Sequence, residues 1–183
     1  MPPGFVYLPD FLTPEEERLL LAEVEAYPFH EVRMRGQVAR RTVIHFGWDY
    51  DYEGWKIEPT TPPSTRLREL ADRCAHAAGI AAESLQQFLV ARYPPGATIG
   101  WHRDAPMFGS PVIGISLHAP CTMKFRRKTG ETWTIEKQEL APRSLYLIDG
   151  EARTQWQHSI PPIRELRYSI SMRTLRAKSG DAH

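Results

Sequence analysis

What most narrows the fold is the pattern of the second half of the 183-residue chain. From residue 85 onward it breaks into short strand-like segments, at 87–93, 112–117, 122–126, 132–136, 144–149 and 166–173. Pro94-Pro-Gly96, Lys128-Thr-Gly130 and Asp149-Gly150 supply turns between them. Short strands punctuated this way predict an all-β sandwich or jelly roll. The first half reads differently. Thr13 as N-cap, Pro14 at the first helical position and Glu16 completing a capping box predict a helix running to Tyr27. Leu67, Leu70, Ala71, Cys74 and Ala78 recur at helical spacing before Gly79, which predicts a second helix over 64–78. These helices should buttress a sheet, giving an α+β chain that is mainly β. Between them, residues 30–62 are rich in Tyr, Trp, Gly, Pro and charge. They read as a short hairpin with long loops, too irregular for a core and placed like a lid.

With 42% hydrophobic and 25% charged residues, the chain suits one well-buried core, so residues 1–183 are expected to form a single domain and a monomer. No basic run followed by an apolar stretch opens it, and nowhere do about eighteen apolar residues run together, so the expected compartment is the cytoplasm, with no membrane partner. Cys74 and Cys121 lack CxxC spacing and read as reduced core residues. There is no internal repeat, and only the tail after Arg176 reads as disordered.

A net charge of +1 excludes a general polycation, but the charge is clustered. Residues 33–41 carry four arginines, and Lys124-Phe-Arg-Arg-Lys128 forms a second patch. Either patch suits nucleic-acid phosphates or is simply solvated. The first leads directly into His45-Phe-Gly-Trp-Asp-Tyr-Asp-Tyr52, where aromatic groups beside basic ones suit an unpaired base. That makes Arg40, Arg41, Phe46, Tyr50 and Tyr52 candidate substrate-binding residues, with core packing as the alternative for the aromatics. Arg153 and Trp156 stand just before His158 and are candidates for the substrate mouth, Trp156 again with core packing as the alternative.

His102 and Asp104 sit two apart in Ile99-Gly-Trp-His-Arg-Asp104. On extended chain such residues face the same way, so imidazole and carboxylate can converge. With His158 as a third ligand, they would leave about half of an octahedral shell open, as mononuclear non-haem Fe(II) requires to bind a cosubstrate and O2. In residues 166–173 the alternation is strict. Leu166, Tyr168, Ile170 and Met172 take one face, and Arg167, Ser169, Ser171 and Arg173 the other. Two guanidiniums separated by small hydroxyl residues make a slot for a compact dicarboxylate, which beside iron suggests 2-oxoglutarate.

Together these segments resemble the AlkB family of Fe(II)/2-oxoglutarate dioxygenases. Arg92-Tyr-Pro-Pro-Gly96 followed by His102-Arg-Asp104 is similar to the family's tyrosine-turn-HxD segment. His158 matches its distal histidine, and Arg167-Tyr-Ser-Ile-Ser-Met-Arg173 its closing RxNxTxR strand. The resemblance implies a double-stranded β-helix over 85–176, with the metal in the mouth between two sheets. It also implies that His102, Asp104 and His158 hold iron, that Arg167 pairs with the far carboxylate of 2-oxoglutarate, and that Tyr93 bonds the same end. Ser169 replaces the family's asparagine, and Arg173 would meet the near carboxylate or brace Asp104. Ala91 stands where the family has asparagine, and Pro106 where it often has an acidic residue that handles the target base. The implied function is oxidative demethylation of N-alkylated bases in DNA or RNA, on a single strand or a flipped base. A protein or small-molecule acceptor is the alternative, followed by a non-catalytic nucleic-acid-binding module.

Overall fold

Both helix starts form as their caps dictate. Thr13 Oγ1 accepts from the Glu16 amide at 3.2 Å, and Glu16 Oε2 accepts from the Thr13 amide at 2.8 Å. The Ser64 hydroxyl accepts from the Leu67 amide at 3.1 Å, a bond worth about 1 kcal/mol. Gly79, at φ 67°, closes the second helix in the left-handed conformation that glycine adopts without strain. The first helix ends at Val24, one turn short of the predicted Tyr27, because Ala26 and Tyr27 bond back only three residues, to Glu23 and Val24.

The computed structural model describes residues 1–34, 36–51 and 56–176. In chain order its elements are β1 (Phe5–Leu8), α1 (Pro14–Val24), β2 (His30–Met34), β3 (Gln37–Phe46), β4 (Trp48–Asp51), β5 (Lys56–Pro59), α2 (Thr65–Ala78) and β6 (Leu85–Tyr93). There follow β7 (Ile99–His102), β8 (Phe108–Leu117), β9 (Cys121–Thr129), β10 (Thr132–Leu140), β11 (Leu145–Ile148), α3 (Gly150–Thr154), β12 (Gln157–Ile160) and β13 (Arg167–Leu175). Asp149-Gly150 caps the start of α3 rather than making a tight turn, since the Asp149 side chain accepts from the Gly150 amide. The tail after Arg176 lies outside the described residues.

A seven-stranded sheet, in the order β1-β11-β8-β13-β6-β3-β2, packs against a four-stranded sheet, β10-β9-β12-β7. The pairs are antiparallel, which is the jelly-roll architecture. Two apolar clusters occupy the two faces of the large sheet. Phe88, Val90, Ile113, Ile115, Tyr168, Ile170 and Met172 meet Leu20 and Val24 of α1 and Leu67, Leu70, Ala71 and Cys74 of α2. Leu89, Ala91, Tyr93, Val112 and Tyr146 meet Met123, Phe125 and Ile160 of the small sheet. This is the period of two expected from β6, β8 and β13. Covering on both faces is why Arg167 and Ser169 are buried together with their apolar neighbours. Both cysteines are free and buried, as expected. No helix among the described residues is long and apolar enough to cross a membrane.

The long loops expected between the helices need correcting. His30–Met34 and Gln37–Phe46 are two strands of the large sheet, and β3 pairs with β6 from Thr42↔Arg92 to Phe46↔Phe88. The reading failed because β3 opens on exposed positions that mix Val38 with Gln37 and Arg40, with its buried residues confined to its far end. Among the described residues, β4 and β5 pair as a separate two-stranded sheet.

Candidate active site

The short strands β7 and β12 assemble the centre of the site. Their antiparallel register sets His158 directly opposite His102, and the two imidazole rings lie 4.2 Å apart between centroids. Asp104 follows β7 by two residues, and its Oδ2 lies 3.7 Å from His158 Nε2. Arg173, on β13, donates from Nε and NH2 to Asp104 Oδ1 at 3.1 and 3.0 Å. Its NH1 donates to the side-chain oxygen Oε1 of Gln87, on β6, at 3.1 Å. Gln87 is fully buried. The second carboxylate oxygen, Oδ2, is buried with no hydrogen-bond partner, a costly state for a charged group unless a cation faces it. His102 Nδ1 lies 2.9 Å from the Gly100 carbonyl. That bond fixes the ring and leaves Nε2 as the lone-pair nitrogen, the arrangement usual for metal-binding histidines. Among the described residues no three such groups stand already closed into a metal cluster.

The electrostatics suit a cation. Burial alone would raise the Asp104 carboxyl, but Arg173, with His158, His102 and Arg153, overcomes it and holds the group well below the usual carboxylate range. Burial, aided by His102 and opposed by Asp104, pushes His158 down to about 3. His102 is lowered chiefly by burial too, against Asp104. At neutral pH the site therefore presents one carboxylate and two neutral imidazoles, the protonation states that metal ligation needs. These residues fit a divalent iron with open coordination positions.

Around them opens a cavity of about 700 Å³ whose wall includes Tyr93, Tyr146, Ser171, Arg173, Tyr50 and Arg41. Arg167 and Ser169 are not on the wall. Arg167 stands directly across from Tyr93 in the sheet, with its Cζ 5.1 Å from the Tyr93 ring centre. Its Nε donates to the Ser116 hydroxyl at 3.2 Å, while NH1 and NH2, in a residue 1% exposed, make no hydrogen bond. Burial works against this charge, and Cys121, Tyr93 and Tyr146 nearby sustain it. A buried guanidinium with an empty fork fits an incoming carboxylate. Ser169 is buried between β6 and β8, opposite Ala91 and Ser116. Of the two positions open to Arg173, the geometry shows the bracing one.

The substrate candidates divide. Arg41 and Tyr50 line the same cavity as His102 and Asp104. Arg40 is exposed with its guanidinium against Gly96, off the wall, because adjacent residues of β3 face opposite sides. Phe46 belongs to the helix-side core, 5.0 Å from the Tyr27 ring, and is corrected to a packing residue. Trp156 is likewise core, 4% exposed in the cluster between the sheets. Tyr52 and Arg35 lie outside the described residues. Arg153 is not at the mouth. From α3 it donates to the carbonyls of Asp104, Ala105 and Phe108 at 3.1, 3.0 and 3.1 Å, clamping the loop that carries Asp104. Sequence reasoning missed Gln87, and a glutamine in a strand of buried apolar residues was the available signal.

The model of the 2OG-Fe(II) oxygenase superfamily matches residues 4–177. The alkylated DNA repair protein ALKBH8 homolog of Arabidopsis thaliana is 32% identical over 186 residues, covering 87% of this chain and 51% of that protein. The tRNA (carboxymethyluridine(34)-5-O)-methyltransferase alkbh8 of Xenopus tropicalis is 28% identical over 190 residues, covering 99% of this chain and 29% of that protein. The chain thus spans about half or less of the length of these relatives. In fold it is similar to the solved structure of OsALKBH1, with a TM-score of 0.76 at 14% identity over 95% of this chain and 98% of that one. On the family match and the AlkB-type relatives together, the chain belongs to the 2OG-Fe(II) oxygenase superfamily, among its AlkB-like members.

Proposed function

We propose that the chain is an Fe(II)- and 2-oxoglutarate-dependent dioxygenase that removes alkyl groups oxidatively from N-alkylated bases in DNA or RNA. One observation carries the reading. Two sets of buried polar atoms lack protein partners, Asp104 Oδ2 beside His158 and the Arg167 fork beside Tyr93, and they ask for a cation and a carboxylate respectively. His102, Asp104 and His158 would hold the iron. Arg173, itself held by Gln87, keeps Asp104 oriented with one oxygen turned away. Arg167 and Tyr93 would take the far carboxylate of 2-oxoglutarate, with the buried Ser169 hydroxyl between the two arginines of β13. With both groups and O2 bound, the centre supplies hydroxylation of an N-methyl carbon coupled to decarboxylation of the cosubstrate to succinate. The resulting hemiaminal breaks down to the free base and formaldehyde.

The remaining work belongs to the chain's own side chains. Leu89, Val112 and Ile148 wall the cavity and exclude water from it. Arg41 and Tyr50, which line the cavity, would meet a base that enters from a single strand or is flipped out of a duplex. A volume of about 700 Å³ is within the range of sites that enclose small molecules. The reading also takes the chain as one domain and a monomer in the cytoplasm, a reducing setting that its two free buried thiols support. The test is to load the protein anaerobically with Fe(II) and 2-oxoglutarate, admit O2, and follow methylated oligonucleotides by mass spectrometry. Loss of methyl matched by succinate and formaldehyde is expected. Succinate formed at the same rate with or without oligonucleotide, every methyl retained, would move the acceptor to a protein or small molecule.

A further inference from the structure

The outer face of the four-stranded sheet carries a row of side chains that the cavity chemistry does not use. Arg126 of β9 lies between two indoles, its Cζ 4.5 Å from the Trp101 ring centre on β7 and 4.4 Å from that of Trp133 on β10. Its Nε donates to the Gln157 side-chain oxygen of β12 at 2.8 Å, so all four strands contribute to the row. The register sets Trp133 opposite Lys128, Ile135 opposite Arg126 and Lys137 opposite Lys124. Because alternate residues share a face, these six stand on one surface. Trp133 is 48% and Ile135 54% exposed, two of the most exposed large apolar residues described. The acidic residue of β9 and β10 on that face, Glu139, is engaged by the Thr122 hydroxyl. Four cations in one patch are a strong local concentration in a chain whose net charge is +1. At its inner end the row meets the cavity, since Trp101 is also on the cavity wall.

We propose that this row is the track for the single-stranded nucleic acid flanking the nucleotide in the cavity. The inference rests on the nucleic-acid reading given above and extends it to a second surface. Stacking a guanidinium between two rings holds all three planes in order, and the outer face of Trp133 then offers a flat π-surface to an unpaired base. Lys124 and Lys128 are separated by ~13 Å along the strand, so on an extended strand they reach phosphates about two nucleotides apart, not adjacent ones. A duplex hides its base faces and would use only the lysines. A second copy of the chain packed symmetrically here would set the same four cations against each other.

The experiment measures binding of fluorescent single-stranded oligonucleotides to the full chain. One probe is an unmodified strand of about 12 nucleotides and the other a trinucleotide carrying the methylated base. Trp133→Ala should weaken the long strand roughly five- to a hundredfold and leave the trinucleotide unaffected. Lys128→Ala with Lys137→Ala should flatten the salt dependence of long-strand binding by about 1.4 units of slope. Unchanged long-strand affinity and slope in these variants, with methyl release from the wild type intact, would overturn the track and leave the enzymatic reading standing. Equal weakening of both probes would also overturn it, placing the row in support of the cavity. A dimer that Trp133→Ala dissociates without loss of strand affinity would make the face a contact between copies instead. A wild type that neither binds nor demethylates any oligonucleotide would remove both readings together.

Discussion

Arg167→Met separates a residue kept for a ligand from one kept for the fold, because the two roles predict opposite signs. The guanidinium is 1% exposed, is held through Nε by one serine hydroxyl, and has two terminal nitrogens without hydrogen bonds. Exchanging an incompletely paired buried charge for an apolar side chain of similar length is neutral or stabilising by about 1–4 kcal/mol. For a chain of this size that is a rise in Tm of order 5 °C without ligand. The cosubstrate tells the opposite story. A charge-assisted pair to a carboxylate is worth about 1.5–3 kcal/mol, so 2-oxoglutarate should bind roughly ten- to a hundredfold more weakly. At a concentration 100 times the wild-type Kd, the wild type gains about 2.7 kcal/mol, and a variant binding a hundredfold more weakly gains only about 0.4 kcal/mol. The assay is thermal unfolding of both proteins with and without 2-oxoglutarate, a redox-inert divalent cation being present throughout. A variant that is less stable without ligand yet keeps the full ligand-induced shift would refute the reasoning and make Arg167 structural.

Arg153→Met removes the three hydrogen bonds that clamp residues 104–108. It should weaken divalent-metal binding about 10- to 100-fold and speed amide exchange in that loop, and metal titration with unchanged affinity would contradict the clamp. His45 is buried and pushed down to about 4, by burial first, with Asp49 opposing and Arg173 and His30 assisting. The unfolded chain therefore takes up a proton near pH 6.5 that the fold refuses until about pH 4, and stability is lost as pH falls across that window. His45→Gln should reduce the slope of unfolding free energy between pH 6 and 4.5 by about 1.4 kcal/mol per pH unit, measured in urea. An unchanged slope would show that His45 is already protonated in the fold.

Local chemistry was legible in the sequence, and long-range register was not. The caps at Thr13 and Gly79 act within three residues, and the structure contains them as read, while Ser64, read as the first helical residue, is the N-cap just before it. The alternation of β13 showed which of its faces is apolar. What no window of sequence carries is which strand lies beside which. The strands β7 and β12 are four residues each, too short for a periodic signal, yet their pairing brings His102 to His158. In β3 the exposed start masked a strand that joins the main sheet, and its alternation separates Arg41 on the cavity wall from Arg40 beside it. Trp156 and Phe46 read equally well as recognition or core because an aromatic ring serves both, and only burial decides. The stack of Trp101, Arg126 and Trp133 draws on three strands whose order in the sheet differs from their order in the chain.

The central claim, that Asp104 with His102 and His158 holds iron ready to chelate a 2-oxo acid, is tested most directly by anaerobic titration. Fe(II) and then 2-oxoglutarate are added to the wild type and to Asp104→Ala, and the visible charge-transfer band of a chelated 2-oxo acid is followed. The account predicts a band that saturates at one iron per chain in the wild type and is lost in Asp104→Ala, while far-ultraviolet circular dichroism shows the same fold in both. A band of equal strength in Asp104→Ala, or saturable iron binding with no band in the wild type, would contradict it.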